Sequence, residues 1–154
     1  MGNDKITKYC GVIDKPFRCV TELQLRYNDY DMQGRVNNGT YYNYFDLAKM
    51  DYFRKVRNKK FHWEDVNVVM ASAKTDYFVP INYYEHIVVL TQCVHIGNKS
   101  LTLVHRIINA DTQEVKCQCS QVLVYINRST NNTEPLPTIW RTAIENYEEG
   151  ITGD

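Results

Sequence analysis

The stretch "NDYDMQGRVNNGTYYNYFD", residues 28–46, sets two carboxylates, a glycine and two asparagines directly ahead of a run of tyrosines. Asp, Gly and Asn are turn formers. Aromatic residues do not usually follow a turn so closely. From Thr40 the hydrophobic period becomes helical. Tyr41, Tyr44, Phe45, Ala48 and Tyr52 share one face, with Asp46, Lys49 and Lys55 elsewhere on the wheel. Asn37 or Asn38 suits the N-cap, where an Asn side chain accepts an unpaired first-turn N–H. The spacing predicts a helix over residues 40–57, ending at the polar "NKK". A helix this rich in aromatics is buried on several sides, as when a sheet wraps around it.

The flanking segments supply that sheet. Before the turn, Cys19, Thr21, Leu23, Leu25 and Tyr27 alternate with Glu22, Gln24 and Arg26, the pattern of a half-buried strand. After the helix, "VVMASAKTDYFVP" reads as a strand stopped by Pro80. "EHIVVLTQCVHI" and "LTLVHRIIN" read as a hairpin around "GNKS". "EVKCQCSQVLVYI" follows as a long last strand. Its apolar face switches near Gln121, which predicts a bulge there. Thr138 then caps a short helix, about residues 138–148, on which Trp140, Ala143, Ile144 and Tyr147 share a face. The order is strand, long helix, four strands, helix. Short connections between consecutive strands imply antiparallel pairing, so the fold class is α+β. At 154 residues, one domain over residues 1–154 is expected.

Composition narrows the function. The formal net charge is zero, which argues against a nucleic-acid partner. No apolar run approaches the roughly 18 residues of a membrane span, and "MGNDKITKYCGVIDKPF" has no secretory h-region. Five cysteines without such a signal suggest reduced thiols and a cytoplasmic protein. In a strand, Cys117 and Cys119 point to one face, which suits core filling. His62, His86, His95 and His105 lack metal-ligand spacing, and neither Gly-x-Ser-x-Gly nor a P-loop is present.

Asp29, Asp31, Gly34, Val36, Asn37, Asn38, Tyr41, Asp46 and Ala48 stand at the spacing of a known signature. The segment resembles that of hotdog-fold acyl-thioesterases of the hydroxybenzoyl-coenzyme A thioesterase type. Weaker echoes in "DYFVPINYYEH" and "GNKSLTLVHRI" extend the resemblance over residues 17–126. Two positions depart from it: Arg35 stands where many relatives carry His, and Asp46 replaces the commoner Glu. The resemblance implies a curved five-stranded antiparallel sheet around the long helix, and hydrolysis of an acyl thioester on coenzyme A or acyl carrier protein. It implies no metal or redox cofactor. It also implies dimers or tetramers joined through their sheets, with sites at the subunit interface.

By the same resemblance Asp31 is the catalytic carboxylate, and the backbone N–H of Asn38 polarises the thioester carbonyl. The chemistry suits these groups. A carboxylate either attacks the carbonyl or deprotonates a water. A helix N-terminus offers free N–H groups and partial positive charge to the oxyanion. Asn37 either caps the helix or positions a water. Asp46 either joins the site or forms a solvated pair with Lys49. On the substrate side the expected residues are Gly34, Arg35, Gly39, Tyr41 and Lys99, the last meeting a coenzyme A phosphate or standing free as a turn lysine. Asp29 is expected to be structural. Two other readings stay open: an acyl-coenzyme A binding module without turnover, and a hydroxyacyl dehydratase. The absence of any His before His62 counts against the dehydratase.

Overall fold

The computed structural model describes residues 16–58 and 66–148. Five strands form one antiparallel sheet: β1 (Cys19–Glu22), β2 (Val68–Tyr77), β3 (Ile87–Ile96), β4 (Ser100–Asn109) and β5 (Val115–Tyr125), in the order β1-β3-β4-β5-β2. Helix α1 (Asn38–Val56) lies against one face, and α2 (Thr138–Tyr147) closes one end. This is the hotdog arrangement. Cys10 and His62 lie outside the described residues.

Helix α1 buries the stripe read from the sequence: Tyr41, Tyr44, Phe45, Ala48 and Tyr52, joined by Phe53 and Val56. Two clusters divide its length. Tyr41, Tyr44, Phe45 and Ala48 pack on Val89, Ile107, Cys117 and Cys119. Tyr52, Phe53 and Val56 pack on Cys93, Leu101, Leu103 and Leu123, with Trp140 and Ile144 of α2 closing the end. The four described cysteines are buried, and none of them forms a disulfide among the described residues. No helix among the described residues is long and apolar enough to cross a membrane.

Three local expectations need correction. Strand β1 stops at Glu22, not Tyr27, because its partner β3 begins at Ile87 and the bond from the Leu23 N–H to the Ile87 carbonyl is the last rung. Leu23 and Leu25 still pack inward, which is why the alternation continues. Thr138 is the first residue of α2 and not its cap; Pro137 holds the cap position. The β5 ladder is regular at Gln121, which pairs with Ala73 and Leu103. The irregularities lie instead at Ala71 of β2, Val94 of β3 and Lys116 of β5.

Gln121 does not mark a change of face. It stays on the buried face with Cys117, Cys119 and Leu123 because it has a polar partner there. His105 of β4 is fully buried, with Nδ1 2.9 Å from Thr91 Oγ1 and Nε2 3.2 Å from Gln121 Oε1. Its ring stacks on Phe45 at 5.6 Å. A buried polar group needs such partners.

The two sheet edges differ. At β1, the Val20 carbonyl accepts a hydrogen bond from Lys55 Nζ at 2.7 Å, and Lys55 is in turn held by Asp51 at 2.8 Å. At β2 no further strand pairs with the outer edge among the described residues, and Val69, Met70 and Tyr77 are exposed. A lysine on an edge strand blocks pairing; a bare apolar edge invites it.

Burial pushes the His105 imidazole down to about 4, from 6.5. The unfolded chain therefore binds the proton more readily. This residue leaves stability unchanged above about pH 6.5, lowers it as the pH falls toward 4, and adds nothing further below. The expected total is about 3 kcal/mol. Denaturant unfolding of wild type and His105→Gln from pH 7 to 4 measures it. The variant should show the shallower slope, and equal slopes would contradict the assignment.

Candidate active site

Sequence places Asp29 and Asp31 two residues apart, and the fold gives them opposite environments. A short 3-10 turn, Tyr27–Asp29, leads out of β1. Asp29 is buried at 3% exposure. Its Oδ2 accepts the Tyr44 hydroxyl at 2.8 Å and the Arg26 N–H at 2.9 Å, and its carbonyl accepts the Asn37 N–H at 2.9 Å. One residue thus fixes the loop to the first turns of α1. Burial first, and then the hydrogen bond to Asp29, push the Tyr44 phenol upward, so it stays protonated and donates.

Asp31 is exposed. The chain reverses between it and Arg35: the Asp31 N–H donates to the Arg35 carbonyl at 2.8 Å, and the Gly34 N–H to the Asp31 carbonyl at 3.1 Å. Gly34 has φ +78°, a region that favours glycine. A Cβ there would meet nothing within 4 Å, so glycine is required by backbone conformation, not by close approach. The Asp31 Oδ1 accepts the N–H groups of Gln33 at 2.8 Å and Arg35 at 3.2 Å. Oδ2 makes no hydrogen bond among the described residues.

The reversal carries the chain back antiparallel, with Tyr30 bridging Val36. Asp31 is therefore two rungs from Asn37, about 7 Å along the ladder. That leaves room for a reacting group within about 3 Å of both Asp31 and the helix start. The helix start is chemically open. Asn37 sits at the N-cap position but makes no side-chain cap, which corrects the capping expectation. The N–H groups of Asn38 and Gly39 have no intrahelical acceptor, and the first turn holds no acidic residue to offset the helix dipole. Space around Gly39 is open.

Asp31 faces an open cleft of about 540 Å³ whose other walls are Tyr27, Tyr30, Met32, Gly34, Tyr83 and Tyr84. Tyr30 meets Tyr83 edge-on at 5.1 Å, and Tyr83 meets Tyr84 at 4.5 Å. Tyr84 is 96% exposed and has φ +68°, uncommon for a non-glycine residue. Burial, then the charge of Asp29, push the Tyr30 phenol up to about 12, so its hydroxyl is uncharged at neutral pH. Tyr27, Tyr83 and Tyr84 are not among the residues the sequence singles out for the site; the adjacent aromatics after Pro80 are the available signal.

Other expected site residues lie elsewhere. Tyr41 is buried, ringed by Tyr44 and Tyr77 at 6.4 and 5.1 Å, and is core within one chain and not a cleft wall. Arg35 contributes its backbone to the loop. Asp46 is 61% exposed and 3.5 Å from Lys49, the surface pair weighed against a site role. Lys99 sits in the β3–β4 turn with Nζ 3.5 Å from Thr133 Oγ1. Strand β3 runs ten residues from the cleft end to that turn, which puts Lys99 roughly 30 Å from Asp31 in the same chain. Its expected phosphate contact is thus not part of a one-chain site.

Two other recesses are unsuited to the chemistry. A groove of about 570 Å³ between β1 and α1 is floored by Asp51, whose carboxylate is already taken up by Thr21, Arg54 and Lys55. A void lined by Phe53, Leu101 and Trp140 holds only about 10 Å³, room for a water at most. Among the described residues no cluster of three or more His, Cys, Asp or Glu is placed to hold a metal ion. Tyr44→Phe should cost about 2 kcal/mol, because it strips a donor from a buried carboxylate. Urea unfolding checks this, and a loss below about 0.5 kcal/mol would mean the bond does not anchor the loop.

Residues 25–144 match the family model of the thioesterase-like superfamily. A stretch of 98 residues is 30% identical to YsmA of Bacillus subtilis (strain 168), itself described as uncharacterized. It spans 59% of this chain and 66% of YsmA, just under two thirds of that relative's length. A thioesterase from Thermus thermophilus, solved in complex with coenzyme A and Zn, superposes with a TM-score of 0.74 at 28% identity, over 84% of this chain and 98% of its own. Slr0204, a 1,4-dihydroxy-2-naphthoyl-CoA thioesterase from Synechocystis, superposes with a TM-score of 0.71 over 81% of this chain and 93% of its own. At 18% identity that likeness speaks for the fold alone. Since the family match runs over most of the sequence, the chain belongs to the thioesterase-like superfamily.

Proposed function

We propose that the protein hydrolyses an acyl thioester, with Asp31 as the reacting carboxylate and the Asn38 N–H as the oxyanion donor. Membership of the superfamily supports thioester hydrolysis in broad terms. The observation that carries the finer reading is one loop. It holds Asp31 Oδ1 with two backbone N–H groups, leaves Oδ2 uncommitted, and ends at an uncapped helix N-terminus. The thioester carbonyl oxygen would accept from Asn38, with Gly39 beside it. Asp31 would take a proton from a water that attacks the carbonyl carbon, or attack directly to give an anhydride that water then opens. Either route consumes one water, breaks the carbon–sulfur bond and releases an acid and a thiol. Asn37, uncapping, would be free to hold that water. Asp46 would take part only through contacts beyond this chain.

The cleft supports a division of the substrate. Among the described residues its walls are tyrosines, a methionine, Gly34 and one carboxylate, with no Lys or Arg. Such a lining accepts an uncharged acyl group and repels phosphate. The acyl end would lie there and the carrier outside. The Thermus relative's complex makes coenzyme A the first carrier to test, with acyl carrier protein second. The open edge of β2, against the lysine-blocked edge of β1, supports a second copy pairing at β2.

Free-thiol release from acetyl-, octanoyl-, palmitoyl- and benzoyl-coenzyme A, with wild type and Asp31→Asn, tests the reading. At least one thioester should turn over, and the substitution should slow it by roughly 10²–10⁴-fold while coenzyme A binding survives. Turnover indifferent to the substitution would remove Asp31 from the mechanism. Binding without turnover, on either carrier, would favour the acyl-binding module. Sedimentation of the same samples should show a dimer or larger, and a monomer would refute pairing at β2.

A further inference from the structure

The site loop rests on an ion cluster around one buried lysine, and that cluster plays no part in the proposed chemistry. Lys116 of β5 is 2% exposed. It sits at the β5 irregularity, where the ladder passes from Cys117 to Val115. A bulge re-aims a side chain. Here Lys116 Nζ lies 2.7 Å from Glu85 Oε2 and 2.7 Å from Glu114 Oε1, and donates to the Pro80 carbonyl at 3.3 Å. Glu85 spends both oxygens. Oε2 also accepts from Asn109 Nδ2 at 3.0 Å, and Oε1 accepts the Asn82 N–H at 2.9 Å and Asn82 Nδ2 at 3.1 Å. One carboxylate thus ties the ends of β4 and β5 to the turn before β3.

That turn touches the site on two sides. Asn82 bridges Arg35, and the Ile81 carbonyl accepts the Val36 N–H at 3.2 Å. Arg35 is the residue whose N–H holds Asp31 Oδ1. Tyr83 and Tyr84, on the same turn, form the cleft wall opposite. The positive φ of Tyr84 is strained for an aromatic residue and persists only where its surroundings fix it. Burying a Lys among carboxylates adds little net stability compared with apolar packing. What such a cluster supplies is direction.

We propose that Glu85, braced by Lys116, is a positioning residue: it fixes the Asn82 turn, and through Arg35 it sets Asp31 against the tyrosine wall. This rests on the hydrolase reading for its catalytic consequence, but not for its structural one. The carboxyl of Glu85 is pushed up by burial yet held below its usual value overall by bonds from Lys116, Asn109 and Asn82, so it is ionised at neutral pH.

The test pairs hydrogen-exchange mass spectrometry with kinetics on wild type, Glu85→Ala and Glu85→Gln. The Gln variant keeps an acceptor for Asn82 and leaves Lys116 its bond to Glu114, so it remains informative if the Ala variant does not fold. Exchange over residues 29–37 should rise on the order of tenfold in the Ala variant and less in the Gln variant, while the β3–β4 turn at residues 96–101 stays unchanged. On the thioester turned over fastest, Glu85→Ala should lose roughly 10–100-fold in kcat with KM nearly constant, and Glu85→Gln should recover most of it. Wild-type exchange over residues 29–37 in both variants would overturn the proposal whatever the activity, as would a loss seen in KM alone. Faster exchange at residues 29–37 in a protein that hydrolyses no thioester would uphold the positioning and defeat the hydrolase reading instead.

Discussion

The arrangement of the site depends on one buried carboxylate. Asp29 collects the Tyr44 hydroxyl, the Arg26 N–H and, through its carbonyl, the Asn37 N–H. Those three bonds join the start of the Tyr27–Asp29 turn, the second turn of α1 and the N-cap residue of α1. Without them the reversal from Asp31 to Arg35 would be an exposed loop with few constraints. With them, the position of Asp31 follows from the position of the helix. The helix is fixed in turn by seven buried side chains against the sheet. Rigidity at the core is thus passed to an exposed carboxylate by hydrogen bonds.

Two features that cost stability fall near the candidate site loop. The N-terminus of α1 lacks a side-chain cap although an asparagine stands at the cap position, and capping would ordinarily contribute about 1 kcal/mol. Tyr84 holds a backbone conformation that aromatic residues seldom adopt. Neither feature is confined to this region: Pro137 leaves α2 without a side-chain cap, and Asn58, Gln113 and Asn131 also hold positive φ, although all three are residue types that adopt it more readily than tyrosine.

The parts legible in the sequence were those set by periodicity. The stripe Tyr41, Tyr44, Phe45, Ala48, Tyr52 announced α1, and the alternating runs announced the strands, because each pattern depends only on neighbours along the chain. Asp29 and Asp31 could be told apart only by the resemblance, since as turn residues they look alike. What stayed hidden was set by contacts across strands. Gln121 looked like a break in an apolar face, because its partner His105 lies on another strand. Lys116 and Glu85 gave no signal, because the bulge that brings them together has no sequence mark. Lys99 looked available for substrate because the sequence does not show that β3 carries its turn away from the cleft.

The central claim is that the thioester carbonyl sits between Asp31 and the open end of α1. A crystal structure with a ketone analogue of the best acyl-coenzyme A substrate, methylene replacing sulfur, tests it most directly. The account predicts the ketone oxygen about 2.9 Å from the Asn38 N, with the carbonyl carbon or a bridging water in reach of Asp31 Oδ2 and the acyl group among Tyr27, Tyr83 and Tyr84. An acyl group bound in the groove between β1 and α1, with the ketone remote from Asn38, would contradict it.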